Sequence, residues 1–426
     1  MARILDLHVH PSLKMYYLPH LTHNFHSRTY SGAHWNPLSF RTRYRNLRDS
    51  PIKVMLCTHY IIEKGFVAEG FIPPVRGLFW GMAPWYYGKL RVADPWKAVN
   101  EMMDTLEKSV DETNRWTGEH GRHFRLVKSY DELVNDLHEN EIGLVHSIEG
   151  AHCLGYGPEK GETKADYWAR AEKRLEELAA RGVCLITPCH FWDNMFLPQT
   201  DGTEIIPRKI DGKVIPTRDD MFFHMKRAEF SFDDPDKLAE PFVRKCLELG
   251  FVLCLSHMQE EARWRIYELC EEYERPVTLT HVGLKHFFDH EYNVSDDEIK
   301  KIHSLGGVVG LIFSRRWLTD PLKRYKDNGH GIQDLIDSML YIRELTGDTK
   351  AIGIGTDFDG LTDPFKDCPT PRQMHRVVDE MKHHFTAEEE DEILFTNSLR
   401  LLEHGWGKRR RVHEDVFEFD AGHIGP

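Results

Sequence analysis

An α/β fold, and within it a (β/α)8 TIM barrel, is the architecture this sequence predicts, on three observations. Short apolar runs alternate with longer stretches of helical periodicity, the pattern of repeated βα units around a parallel sheet. About eight such runs fit within the 426 residues, a length that a barrel with insertions fills comfortably. Several of the runs end in His, Glu or Asp, and in a barrel such ends converge on one face.

Taken in order, Ile4 to His8 is the first strand, and Pro11 to Ser50, rich in His, Arg and aromatic residues, is a long first loop. Ile52 to Tyr60 is the second strand. Pro95 to Trp116 carries Val99, Met102, Met103, Leu106 and Val110 at helical spacing and predicts a long helix. Between these, Phe66 to Tyr87 is dense in Phe, Trp, Tyr, Pro and Gly; it reads as a pocket wall or a subunit contact, which leaves a homodimer open. A short helix at Glu132–Leu137 precedes the strand Ile142–Ile148, which closes on Glu149. A charged helix, Asp166–Arg181, leads to the strand Val183–Thr187 and then to His190. The polar, turn-rich stretch near 191–235 is an insertion on the barrel. Helix Pro235–Leu249 and strand Phe251–Leu255 follow, the strand running into Ser256-His257. Helix Glu260–Tyr273 then precedes strand Pro276–Thr280, which meets His281. Helix Ser295–Leu305, strand Val308–Phe313 and helix Ile332–Thr346 bring the chain to the apolar run from Ala351, which ends at Asp357. A single barrel domain over 1–405 with a tail over 406–426 is the expected organisation.

Composition narrows the partners. A formal net charge of −13 argues against a sequence-independent nucleic-acid binder. The most apolar region, Gly65 to Gly88, is interrupted by Pro73, Pro74, Arg76 and Pro84 and cannot supply a transmembrane helix. The amino terminus enters a strand without the apolar region of a signal peptide, so a cytoplasmic protein with no membrane partner is expected. Eight cysteines with no Cys-x-x-Cys pair read as free thiols of a reducing compartment.

Each strand-end residue has an ordinary alternative. Asp357 and Asp359 in an Asp-x-Asp-Gly suffice to shape a turn, and Glu149 to cap one. His8 and His10 alternate with Val9 and so face one side of a strand, as a metal pair requires, yet a lone His-x-His is common without a metal. His257 or His281 alone is more often a hydrogen-bonded structural residue. The convergence of His8, His10, Glu149, His190, His257, His281 and Asp357 on one barrel face makes coincidence the poorer account. A carboxylate among neutral imidazoles suits zinc, with iron, manganese and cobalt compatible by residue type.

At this point several segments together resemble one family. They are His8-Val9-His10, Ser147-Ile148-Glu149-Gly150, Leu255-Ser256-His257, Arg275-Pro276-Val277 through His281 to Asn293-Val294, Gly353 to Gly360, and Asn397-Ser398-Leu399-Arg400. Their pattern is similar to that of the membrane (renal) dipeptidases of the amidohydrolase superfamily, from Met1 to about Gly405. The resemblance implies a metallopeptidase barrel of the metal-dependent hydrolase type. One zinc would be held by His8, His10 and Glu149, and a second by Glu149, His257 and His281, with Glu149 as the bridge. A hydroxide between the two would be the nucleophile. Asp357 would shuttle its proton to the leaving amine, and His190 would stabilise the carbonyl oxygen. The implied substrate is a dipeptide or related small amide, bound through His190 and the position that Tyr292 occupies.

The departures from the family pattern bear on substrate. His10 stands where the family has Asp, and Cys254 where it has another Asp. Tyr292 replaces the Arg that pairs with the substrate carboxylate, so a dipeptide loses its bidentate partner. Arg315 and Arg316, or Arg41, Arg43 and Arg45, are candidate replacements, and equally a solvated face. His20, His23, His26 and His34 read as loop residues. Amide hydrolysis is the leading reading; a metal-dependent decarboxylase on the same barrel and a metal-binding protein without catalysis are the alternatives, and the retained Asp357 counts against the last.

Overall fold

The run Ile-Leu-Asp-Leu-His-Val forms strand β1 (Ile4–Val9), buried along its whole length as a parallel strand covered on both faces must be. The structure is a computed structural model that describes residues 2–20, 22–26, 39–65, 67, 92–118, 121–202, 205–210, 213–218, 227–320, 323, 330–360 and 363–408. The further barrel strands are β2 (Ile52–Tyr60), β4 (Glu141–Glu149), β5 (Leu185–Thr187), β8 (Val252–Cys254), β9 (Val277–Val282), β10 (Val308–Leu311) and β11 (Ile352–Ile354). They are hydrogen-bonded in the order β2-β1-β11-β10-β9-β8-β5-β4, and β2 pairs in parallel with β4 from Val54↔Gly143 to Tyr60↔Glu149 to close the barrel. The (β/α)8 expectation is met.

One strand of the main sheet has no counterpart in the sequence reading. β3 (His123–Val127) pairs with the first half of β4, from His123↔Glu141 to Val127↔Val145, while β5 pairs with its last residues, Ser147 to Glu149. One edge of β4 is thus shared end to end by two strands. β3 is half-polar, His-Phe-Arg-Leu-Val, because it lies outside the closed wall and is only partly buried.

The first loop also differs. Pro11 opens a helix, Pro11–Tyr17, rather than a loop, since its fixed φ suits the first helical turn and it sacrifices no needed N–H. A second short helix, Tyr44–Arg48, ends the described part of that segment. Within the insertion, β6 (Ile205–Ile210) and β7 (Lys213–Arg218) make an antiparallel hairpin. The aromatic segment 66–87, apart from Val67, lies outside the described residues, as do His34 and 409–426.

The expected helices take their places around the barrel at Pro95–Thr117, Lys164–Ala180, Ala239–Leu249, Glu260–Glu272, Asp296–Ser304 and Ile332–Thr346. Lys164–Ala180 begins in a full capping box, Thr163 with Asp166, which satisfies two otherwise orphaned N–H groups. Toward the amino-terminal ends of the strands, Leu5, Val54, Leu185, Val252 and Val308 meet Phe395, Leu401, Leu402 and Trp406 from the carboxyl-terminal helices. The apolar seal there leaves the polar residues at the opposite face. Among the described residues all eight cysteines are buried and unpaired, and no helix is long and apolar enough to cross a membrane.

Candidate metal centre

Chain geometry delivers the polar residues with some regularity. His190, His257 and Asp357 each stand three residues past the end of a strand, β5, β8 and β11; Glu149 is the last residue of β4, and His281 lies one residue from the end of β9. β1 carries a register shift between Asp6 and Val9, and His10 follows its end. His8 and His10, two residues apart at this strand end, present their imidazoles to each other. All seven residues are buried.

Glu149 is the hub. Its Oε1 lies 3.5 Å from His8 Nε2, 3.3 Å from His257 Nε2 and 3.6 Å from His281 Nε2. Its Oε2 lies 3.4 Å from His10 Nε2 and 3.7 Å from His190 Nε2. His8 and His10 present their Nε2 atoms 3.0 Å apart, and His257 and His281 do the same at 3.0 Å. Asp357 Oδ1 is 3.3 Å from His10 Nε2.

Backbone strain accompanies this convergence. His257, Asp357 and Asp359 adopt left-handed φ of 67°, 55° and 70°, a conformation that costs a non-glycine residue about 1–3 kcal/mol and persists only where the surroundings impose it. Here they do: Asp357 N–H donates to His8 O at 2.9 Å, His10 N–H to Phe358 O at 2.9 Å, and Thr200 N–H to His257 O at 2.7 Å. Asp359 is fastened separately, accepting from Lys14 Nζ at 2.7 Å, Arg41 N–H at 2.9 Å and the Thr42 hydroxyl at 2.6 Å. It anchors the first segment to the barrel rim rather than entering the cluster.

Burial alone would raise the Glu149 pKa, but the imidazoles of His190, His8 and His257 outweigh it and hold the carboxyl well below its usual range. Burial pushes His281 far down and His257 down to about 4, so both are neutral at pH 7, the form that ligates. His10 is raised: burial opposes its charge, but the hydrogen bond to Asp357 and the charges of Glu149 and Asp357 prevail.

The donor set fits metal ions. Two ligand nitrogens on a tetrahedral zinc with bonds of about 2.0–2.1 Å stand about 3.3 Å apart, near the spacing of both imidazole pairs. The groups His8, His10, Glu149 and Glu149, His190, His257 are each compact enough to hold one ion. Glu149 Oε1 is buried with no hydrogen-bond partner among the described residues, which a cation would remedy.

Three residues of the centre escaped the sequence reading. Glu63 lies 3.4 Å from His190 Nδ1 through Oε1, accepts the Phe191 N–H at 3.1 Å and accepts the Tyr60 hydroxyl. Burial favours its neutral form, yet His190 and the hydrogen bonds bring its pKa down to about 2. Asp6, whose pKa burial raises to about 7, accepts from His8 N–H at 3.2 Å and the Thr356 hydroxyl at 2.6 Å. Thr280 touches two of the histidines. Asp6 had a local signal, an acid inside an apolar strand, and Glu63 stands three residues past β2, the same offset as His190, His257 and Asp357; a Thr in a strand is ordinary.

Tyr292 is 1 % exposed; its hydroxyl donates to His281 O at 2.7 Å and its ring stacks on Trp317 at 4.2 Å. The phenol is thereby engaged with the backbone beside the cluster. Arg315 Nε donates to Asp334 Oδ2 at 2.6 Å, and the Arg41 guanidinium to Pro369 O at 3.1 Å.

Fold and site define a (β/α)8 barrel with a metal-type centre at the carboxyl ends of its strands. The chain resembles the membrane dipeptidases in sequence as well: residues 237–413 match the family model described as Membrane dipeptidase (Peptidase family M19). An uncharacterized dipeptidase of Schizosaccharomyces pombe is 24% identical over 259 residues, 61% of this chain and 51% of that relative. The chain spans about half the length of the curated relatives it matches. Among solved structures, dipeptidase AC, described as a metallopeptidase of family M19, superposes with a TM-score of 0.66 at 16% identity over 95% of this chain and 99% of its own. A metallopeptidase from Rhodobacter sphaeroides, liganded with a phosphinate mimic of the dipeptide L-Ala-D-Ala, gives the same TM-score, identity and coverage. These two likenesses establish the shared fold.

Proposed function

We propose that this chain is a metal-dependent hydrolase that cleaves the amide bond of a dipeptide or a related small amide, with two zinc ions bridged by Glu149. The observation that carries the reading is the set of four buried imidazole Nε2 atoms, from His8, His10, His257 and His281, around Glu149, with the Asp357 carboxylate 3.3 Å from His10. His8 and His10 with Glu149 would hold one ion, and His257 and His281 with Glu149 the other. Bound there, the metals would supply Lewis acidity and lower the pKa of water toward neutrality.

The chain's own groups divide the remaining work. Asp357, set at the rim by its strained backbone, takes the proton released as the amide is attacked and delivers it to the departing amine. His190 stands farther from Glu149 than the four ligands, at 3.7 Å, and faces Glu63 through its other nitrogen. In this reading its Nε2 donates to the amide oxygen as negative charge develops there. The Tyr292 ring lies 5.0 Å from the His257 ring and is backed by Trp317. Because the Tyr292 hydroxyl is bound to His281 O, it does not replace a guanidinium, and amides without a free carboxylate belong in the substrate range.

The test is hydrolysis of L,L and L,D dipeptides and N-acyl dipeptide amides by zinc-loaded protein, beside a chelated control and Asp357→Asn. Zinc-dependent cleavage that falls about 10²–10⁴-fold in the variant supports the reading. Metal-loaded protein that cleaves none of them, or releases carbon dioxide without an amine, overturns it.

A further inference from the structure

We propose that the Thr280 hydroxyl is a positioning group common to both halves of the metal centre, itself oriented by Cys254; the inference rests on the two-metal reading above. Thr280 is fully buried on β9, and its Oγ1 lies 2.9 Å from His8 Nδ1, 2.9 Å from His281 Nδ1 and 3.1 Å from Cys254 Sγ. His8 belongs to β1, which β10 and β11 separate from β9 around the wall, so the contact spans the barrel interior.

Proton accounting gives this cluster one direction. A histidine that ligates through Nε2 carries its proton on Nδ1, and that N–H needs an acceptor. A hydroxyl offers two lone pairs and one proton. The Nδ1–H groups of His8 and His281 take both lone pairs of Thr280 Oγ1, which leaves its O–H for Cys254 Sγ. The sulfur also receives the Thr280 N–H at 3.3 Å, and the thiol reaches Ser256 Oγ at 3.4 Å. The hydrogens on His8 Nδ1, His281 Nδ1, Thr280 Oγ1 and Cys254 Sγ then each have a destination.

The strand that carries Thr280 is held in place as well. A Cβ at Gly355 would lie 1.6 Å from Thr280 O, and one at Gly310 2.1 Å from it, so both neighbouring backbones approach closely only because they are glycine. By contrast, His10 Nδ1 and His257 Nδ1 have no hydrogen-bond partner among the described residues. Each ion would therefore have one histidine braced by Thr280 and one that is not. A single hydroxyl does for both ions what separate outer carboxylates commonly do, and Cys254 is the residue that leaves its proton pointed away from the ligands.

The experiment compares wild type with Thr280→Val, Thr280→Ser and Cys254→Ala, each first checked for folding by circular dichroism without metal. Zinc per chain is measured by elemental analysis across a buffered zinc series, and the cobalt-substituted proteins are examined by absorption spectroscopy. Thr280→Val is expected to lose affinity for both ions in parallel, by about 10- to 100-fold, and to alter the cobalt spectrum. Thr280→Ser restores both, and Cys254→Ala weakens both by a smaller factor. Unchanged affinities in Thr280→Val, or a loss confined to one ion, overturn the brace while the two-metal reading stands. If Thr280→Val does not fold, unchanged zinc binding in Cys254→Ala decides against the brace. Wild-type protein that binds no metal overturns the two-metal reading, and the brace falls with it.

Discussion

Strand β4 serves two buried histidine clusters that face opposite ways. Glu149 points into the barrel toward the candidate metal centre; His146, three residues earlier and hence on the other face, points out toward the helix Pro95–Thr117. Outside the wall, Ser12 Oγ lies 2.9 Å from His59 Nδ1, His59 Nε2 lies 2.7 Å from His146 Nδ1, and His146 Nε2 lies 3.1 Å from Glu107 Oε1. Glu107, held down to about 2 chiefly by its hydrogen bond with His146, can only accept. It therefore orients the whole row, each group donating toward Glu107, and every imidazole nitrogen is satisfied. Inside the wall the same residue type is arranged head to head, with Nε2 facing Nε2 and Glu149 Oε1 unpartnered among the described residues. Burial of histidine is common to both clusters. What separates the inner, proposed ligand set from the outer row is that its Nε2 atoms converge on one another and on one carboxylate instead of forming a chain.

The contrast can be broken most severely at its hub. Glu149→Gln keeps the shape but removes the shared charge; both ions should be lost, with zinc affinity falling more than about 100-fold, beyond the cost of losing an outer partner. Retention of two zinc ions by elemental analysis would mean that the inner cluster does not depend on its carboxylate. A smaller effect is expected from Glu63→Gln, which disturbs the orientation of His190 without touching a proposed ligand. Steady-state kinetics should show kcat reduced by less than the about 10²–10³-fold due to loss of an oxyanion donor itself, with zinc content unchanged.

The outer row should respond in stability alone. His146→Ala strands the His59 Nε2–H, at a cost of about 1–3 kcal/mol before any cavity is counted. Urea unfolding of the metal-free protein measures this, and zinc content should match wild type. The smallest effect is on pH dependence. Burial lowers His146 below its ordinary value of 6.5, against the pull of Glu107, so between these values the unfolded chain binds a proton that the folded chain does not. Its contribution is complete above pH 6.5 and is lost as pH falls toward the folded value. Unfolding free energies taken from pH 8 to 5 should therefore have a shallower acid slope in His146→Gln than in wild type.

The strands that close the barrel were legible because parallel strands buried on both faces are written as continuous apolar runs, as in Ile52–Tyr60 and Ile142–Glu149. β3 was not, since His123–Val127 is an outer edge strand with no such run. The helix Pro11–Tyr17 was hidden by the His, Arg and aromatic content around it, although Pro11 at its first position was the available cue. His190 was legible as a strand-end histidine, whereas Glu63, which faces it, lies on a different βα unit and is tied to it only by folding.

By itself the sequence determined the chemical types that reach the strand ends, His8, His10, Glu149, His190, His257, His281 and Asp357, because strand period and apolar runs are local properties. It offered a turn at Asp357 and Asp359 only as an alternative to chemistry, and the left-handed φ of both residues came from the structure. Only the tertiary structure decided which histidines face inward, as proposed ligands, and which, like His59 and His146, satisfy one another outside. It alone joined Thr280 to His8 across the barrel, through contacts between residues 272 positions apart. Such pairings depend on closure, strand stagger and the register shift in β1, and these exist only once all eight strands have met.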